Sequence, residues 1–456
     1  MDESKSTAHL TSSEWDIMFR SYEEVIKNGT ETLKLRATMK LVSLLDSVPK
    51  HFLLLTVPIL IGIIDGTMCN PGPLQETAAY CLKCIACEED SELLTLICMP
   101  RTIASFVRIL KQSDGRCRRY MIKCLWGMAS SVKDSRVHIF SSGGLEVIVV
   151  MLASCTDSGR RYLLEILSAL TLTRDVRRAL TCIGGLGLLI EAAKHGSMVS
   201  RERAAQALGL LGVVKKARRT LVGLGVIPVL ADLLQDGDVS TKVVAGNALG
   251  IISSHVDFIR PVAKAGVIPL YAELLRGPEP LGREVAEDVF CVLAVAESNA
   301  IEISEHLVRI LQEDNAEAKA AAADVLWDLS GYQHSISVIG NSGAIPILVE
   351  LLREGDGDIK EKVSGAIAQL SNHEADRSTL ANAGAIPHLI EMLQDESEEL
   401  RDNAAESLVN FSEDPSYRDR LSQAFAMPAF QSMQGRMVHI RAADQHTVRS
   451  LRHMRL

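Results

Sequence analysis

Three cysteines, Cys81, Cys84 and Cys87, stand at helical spacing in CLKCIAC. A CxxCxxC run supplies three thiolates, and a zinc or iron–sulfur centre needs a fourth ligand. The nearest candidates, Cys69 and Cys98, give no recognised spacing, and the run lies on an apolar helical stretch. It reads as buried or half-buried structural thiols, with no metal expected. GDGDIK, Gly355 to Lys360, lacks the later ligands and terminal Glu of a calcium loop. No P-loop, dinucleotide glycine fingerprint or G-x-S-x-G turn occurs. The 12 histidines are scattered without an HxxxH pair, and His388 fills a slot held elsewhere by Ile347, Leu270 and Val229. The expectation is a chain with no catalytic residue and no cofactor.

The elements that carry these residues follow from a repeat. NAGAIPHLIEML, with Gly384 and Pro387, recurs as NSGAIPILVELL (Gly343, Pro346), KAGVIPLYAELL (Gly266, Pro269) and GLGVIPVLADLL (Gly225, Pro228). Weaker copies centre on Gly184 and Gly143. The anchors step by 41 residues apart from one step of 77, which holds a further repeat anchored near 302. That repeat has lost its glycine, its proline and part of its first helix. Degraded copies are anchored near 55 and 101, and Phe425 stands at the last glycine position. About ten repeats account for nearly the whole chain.

Each repeat divides into three helices. A short first helix stops at the glycine, which supplies a tight left-handed turn. The proline falls in the first turn of the second helix, where its missing N–H costs nothing. The third carries an apolar stripe, as in Ala404, Ala405, Leu408 and Phe411, matched by Ala204, Ala205, Leu208 and Leu211. No repeat can shelter that stripe alone, so neighbours must stack. At a helix spacing of 8–10 Å, ten repeats form a rod or superhelix on the order of 90–100 Å long.

Composition agrees: hydrophobic residues are 47%, charged 23% and aromatic only 4%, which excludes disordered and membrane classes and favours closely packed helices. Ten scattered cysteines read as free thiols in a reducing compartment. MDESKSTAHL carries no apolar signal region, and the greasy run Phe52 to Ile64 is too short to span a bilayer. A soluble protein of the cytoplasm, the nucleus or both is expected.

The phrase G-[AV]-I-P-x-L-x-x-L-L, followed about 20 residues on by A-A-x-x-L-x-x-x-S, resembles the armadillo repeat family over roughly residues 50–433. The resemblance implies an all-α, right-handed superhelix of three-helix units (an α-solenoid). Its third helices line a concave groove that receives an extended peptide or another protein's surface. Residues 1–50 would form an N-terminal helical cap in which Leu33, Met39, Leu41, Leu44 and Leu45 supply apolar contacts. Residues 51–433 would form the array, and 434–456 a C-terminal capping helix and basic tail, an end that a partner subunit or self-association would complete. Nuclear-import adaptors of this family carry Trp and Asn four residues apart on successive third helices. Here the Trp-like positions are Glu165, Gln206, Asn247, Asp288, Asp324, Gly365 and Glu406; the Asn-like ones are Ala169, Leu210, Ile251, Val292, Asp328, Gln369 and Asn410. Only Asn410 fits, so the resemblance is to the repeat and not to those adaptors. The fifty residues before the first repeat do not fit the U-box of ligases in this family either.

Glu165, Gln206, Asn247, Asp288, Asp324 and Glu406 form the candidate partner-binding strip, with Asn410 beside it. Leu210, Ile251 and Val292 form an apolar run that faces either the groove or the core. Charge is segregated: residues 101–220 hold 21 basic and 8 acidic side chains, and residues 221–456 hold 19 and 35. Within the basic block, Arg136, Arg178, Arg219 and Arg260 are read at one repeat position and Arg177 and Arg218 at its neighbour. With Lys215 and Lys216 they make a candidate patch for an acidic partner, or else cap preceding third helices. The net charge of −9 and the lack of alternating Tyr/Phe platforms argue against nucleic acid. The expectation is a non-catalytic scaffold or adaptor for one or more proteins. A cargo adaptor for a short charged peptide is the alternative, and a nucleic-acid-associated scaffold the remote one.

Overall fold

The computed structural model describes residues 11–66, 72–87, 97–112, 115–154, 159–331 and 333–437. Helices follow one another through the chain, and no strand occurs among the described residues. Contacts divide the chain into two compact units, residues 1–229 and 230–456. The segment 438–456, assigned above to the basic tail, and Cys69 lie outside the described residues.

The glycine anchors act as the repeat requires. Gly143, Gly184, Gly225, Gly266, Gly343 and Gly384 all take positive φ, between 73° and 90°. A second periodic signal opens the third helices. Ser197, Asp238, Asn315, Asp356 and Ser397 each accept a hydrogen bond from the backbone N–H three residues on. These side chains satisfy donors that a helix start leaves unpaired.

In the repeat that lost its glycine, no turn separates first from second helix. Glu297–Leu311 is one continuous helix. Asn299 within it donates to the Leu293 carbonyl at 3.0 Å, tying it to the end of the preceding third helix.

In the N-terminal unit the third helices are Pro73–Cys87, Gly115–Ser131, Gly159–Leu170 and Met198–Gly212, each packed on the next. In the C-terminal unit they are Val239–Ser253, Pro280–Leu293, Ala316–Ser330, Gly357–Ser371 and Glu398–Phe411, again packed in order. The paired alanines Ala204/Ala205 and Ala404/Ala405 are fully buried, so small side chains do line the close contacts.

At the N-terminal end, Leu45 is buried and Leu41 and Leu44 are half-buried, as expected of them. Trp15 and Phe19 also pack against Phe52, with ring centroids 6.2 and 6.0 Å apart, and Ile26 is buried. Leu33 and Met39 are exposed instead: the helix Glu31–Leu44 turns Lys34 and Thr38 inward.

Candidate functional site

In the C-terminal unit the polar column falls on one face of the third-helix ladder. Asn247 and Asp288 are exposed, and Asp324 and Glu406 are half-buried. Its gap at Gly365 has a physical cause. The Trp327 indole occupies the space a side chain would take, since a Cβ at 365 would fall 2.5 Å from its ring carbons. Lys362 Nζ lies 5.7 Å from the Trp327 ring centroid and 3.3 Å from Asp324 Oδ1. One lysine thus meets both an aromatic face and a carboxylate across neighbouring helices.

The carboxylates around this pair crowd one another. Burial, with Asp324, Glu284 and Asp288 nearby, pushes Glu287 up to about 7, against the opposing pull of Lys362. Burial raises Asp324 despite Lys362, and burial with Asp402 raises Glu406. Burial with Glu399 raises Glu361. Cys291 donates to Asp328 Oδ2 at 3.6 Å, and burial together with Asp328 pushes its thiol up to about 12. Such a face can hold cations. Its Cys291 thiol is held in the protonated form.

The adjoining column is mixed. Leu210 is exposed, while Ile251 and Val292 are half-buried beside their core neighbours.

Two strip residues are structural rather than ligand-facing. Glu165 is buried: it accepts from Trp126 Nε1 at 2.5 Å, Arg161 Nε at 3.1 Å and Ser197 N at 3.3 Å. Asn410 is buried too, and donates to Ser371 Oγ at 2.9 Å across two third helices. A buried polar group needs such partners, and these two have found theirs inside the ladder. Gln206 is exposed.

The basic patch also divides. Arg136 donates to the carbonyls of Ala129 and Ser130, Arg177 to Thr171 and Leu172, and Arg218 to Gly212 and Val213. Each closes the end of the preceding third helix, where carbonyls lack partners and the dipole is negative. Arg136 therefore belongs with Arg177 and Arg218, seven residues before the glycine, and not with Arg178, Arg219 and Arg260 as first aligned. The latter three are exposed, as are Lys215 and Lys216.

The sequence reading passed over a set of rings. Tyr80, Tyr120, Trp126 and Tyr162 come together on three successive third helices of the N-terminal unit. Their register was visible: Tyr80, Trp126 and Trp327 stand 25 residues after their repeat anchors near 55, 101 and 302. No grouping of three or more metal-binding side chains occurs among the described residues, and burial pushes Cys81 up to about 12.

The Armadillo/beta-catenin-like repeat family matches residues 333–372 and 373–413. Each span contains one helix triad, Gln333–Asn341, Ala344–Glu354 and Gly357–Ser371, then Glu374–Asn382, Ala385–Met392 and Glu398–Phe411. Residues 333–413 thus match two armadillo repeats. An engineered protein of known structure, 21% identical, aligns over 87% of this chain and 99% of its own, with a TM-score of 0.64. A designed armadillo repeat protein is 20% identical over 49% of this chain and 99% of its own, with a TM-score of 0.39. Another, solved in complex with the peptide (KR)4, is 21% identical over 50% and 99%, with a TM-score of 0.42. No curated protein matches the chain. The armadillo solenoid is thus the fold, and it is one typical of protein-binding scaffolds.

Proposed function

We propose that this protein is a non-catalytic scaffold that holds a lysine- or arginine-rich segment of a partner protein. The segment lies in extended form along the third helices between Pro280 and Phe411. The observation that carries this reading is the crowding of carboxylates around Glu287, Asp324 and Glu406, where burial and like charge favour the protonated forms. A cationic ligand relieves that repulsion.

Geometry supports an extended ligand. Packed helices are about 8–10 Å apart, and an extended chain advances about 3.3 Å per residue, so every third side chain meets the next helix. The test is fluorescence anisotropy with a labelled peptide bearing lysine at every third position. Binding that Asp288→Asn, Asp324→Asn and Glu406→Gln together weaken at least about tenfold supports the reading. Affinity left unchanged by the three substitutions sinks it.

A further inference from the structure

The N-terminal unit holds a cavity of opposite character. Arg116, Arg119, Tyr120 and Lys123 from the helix Gly115–Ser131 face Tyr162 and Gly159 of the helix Gly159–Leu170 across about 250 Å³. The tyrosines are braced from outside. Tyr120 meets Tyr80 edge-on at 5.3 Å, and Tyr162 meets Trp126 edge-on at 5.4 Å. The Trp126 N–H is fixed by Glu165. Lys123 Nζ stands 5.2 Å from the Tyr162 ring centroid. These aromatic contacts hold the walls in place without a ligand.

Among the described residues that line the cavity, every charged side chain is a cation. Arg116 lies 3.6 Å from Glu76, and among the described residues no ion pair is formed by Arg119 or Lys123. The first turn of Gly115–Ser131 contains no acid and carries Arg116, so cations stand at the positive end of a helix dipole. The start of the helix Gly159–Leu170 adds a second positive end. Such a field is unfavourable to the free protein and suits a dianion better than a single carboxylate.

We propose that this cavity seats the phosphate of a phosphorylated serine or threonine in an extended, acidic peptide. The phosphate oxygens accept from Arg116, Arg119 and Lys123, and the tyrosine rings flank the side-chain stem. Flanking acids at three-residue intervals fall over Lys83 on the preceding third helix and Arg161 on the following one. A nucleic-acid strand fits less well. The rings are engaged edge to face with each other, and lysines already cover Tyr80 and Tyr162. The flat stacking platforms that bases need are therefore taken up. This site is independent of the acidic ladder, since its residues lie in the other compact unit and its ligand has the opposite charge.

The test uses the full chain and a fluorescein-labelled 12-residue peptide of Gly, Ala and Ser, with one central phosphoserine and Glu three residues to either side. The phosphorylated peptide is expected to bind at least about tenfold more tightly than its unphosphorylated twin. Arg119→Ala with Lys123→Ala removes that preference, whereas Lys215→Ala with Lys216→Ala leaves it intact. Circular dichroism melts verify that the variants fold, and Arg119→Lys, which keeps the charge, retains part of the preference. Equal binding of both peptides overturns the proposal. So does equal loss in the Lys215/Lys216 variant, or tighter binding of a uridine 12-mer than of the phosphopeptide.

Discussion

The indole of Trp327 rests on the backbone of Gly365, so near that a Cβ at 365 would lie 2.5 Å from ring carbons Cδ2 and Cε2. Glycine inside a helix normally lowers stability relative to alanine. Here the order is inverted: Gly365→Ala is expected to destabilise by about 1–3 kcal/mol through overpacking. The same change made in a Trp327→Ala background becomes neutral or stabilising. Thermal melts of the four-member mutant cycle check this, and a stabilised single Gly365→Ala variant would refute the packing account.

Glu287, pushed up to about 7 from an ordinary 4.5, gives a pH signature. Between those values the folded chain binds more of this proton than the unfolded chain, so stability falls as pH rises from 4.5 through 7. The penalty is fully present above pH 7. Glu287→Gln is therefore expected to raise the melting temperature at pH 8 and to change it little at pH 4.5. Basic-peptide affinity runs the other way, weakening as pH drops below 7 and the carboxylate gains its proton.

Neighbouring arginines should behave unlike one another. Arg177→Ala and Arg218→Ala each remove a charged cap and are expected to cost about 1–2 kcal/mol. Arg178→Ala and Arg219→Ala, at exposed positions, change stability within about 0.5 kcal/mol. Urea unfolding of the four variants side by side distinguishes the two classes, and equal losses would refute the capping role.

The left-handed anchors isolate a purely conformational cost. Gly343 and Gly384 have φ of 82° and 90°, and a Cβ there would meet nothing within 4 Å. Alanine at either position is expected to cost about 1–2 kcal/mol, with asparagine costing less because it tolerates this backbone region. Melting temperatures in the order Gly, Asn, Ala support the assignment.

Thiol accessibility offers a fifth check. Cys182 is exposed, whereas Cys81 is buried with its thiol pushed up to about 12. A chromogenic disulfide reagent at pH 8 is expected to modify Cys182 in the native chain and to reach Cys81 only on unfolding. Early modification of Cys81, located by peptide mapping, would contradict its burial.

The architecture was legible because one constraint recurs. A left-handed residue is needed wherever a first helix meets a second, and Gly143 through Gly384 mark those places at a fixed step. The missing glycine near 302 was legible too, but it reads as a shortened first helix, whereas without a breaking residue the chain runs on as one helix, Glu297–Leu311. The face was harder to read. Glu165 and Glu406 share a column, yet Trp126 reaches across to bury the first, while the second stays half-buried. What decides between ligand and strut is a side chain some forty residues away. Arg136 shows the limit of alignment by type: a one-residue error in register separated it from Arg177 and Arg218, and only the carbonyls each one meets restore the group.

Helix-end arginines make formal charge a poor guide to the field a visitor feels. In the stretch 101–220, Arg136, Arg177 and Arg218 face main-chain oxygens, while Arg160 is held by Glu191 at 2.7 Å. A charge-reversal scan through this stretch would mix two readouts, since some positions act as masonry and others as signposts. Arg119 and Lys123 belong to the second kind, and a scan that begins there keeps recognition apart from collapse.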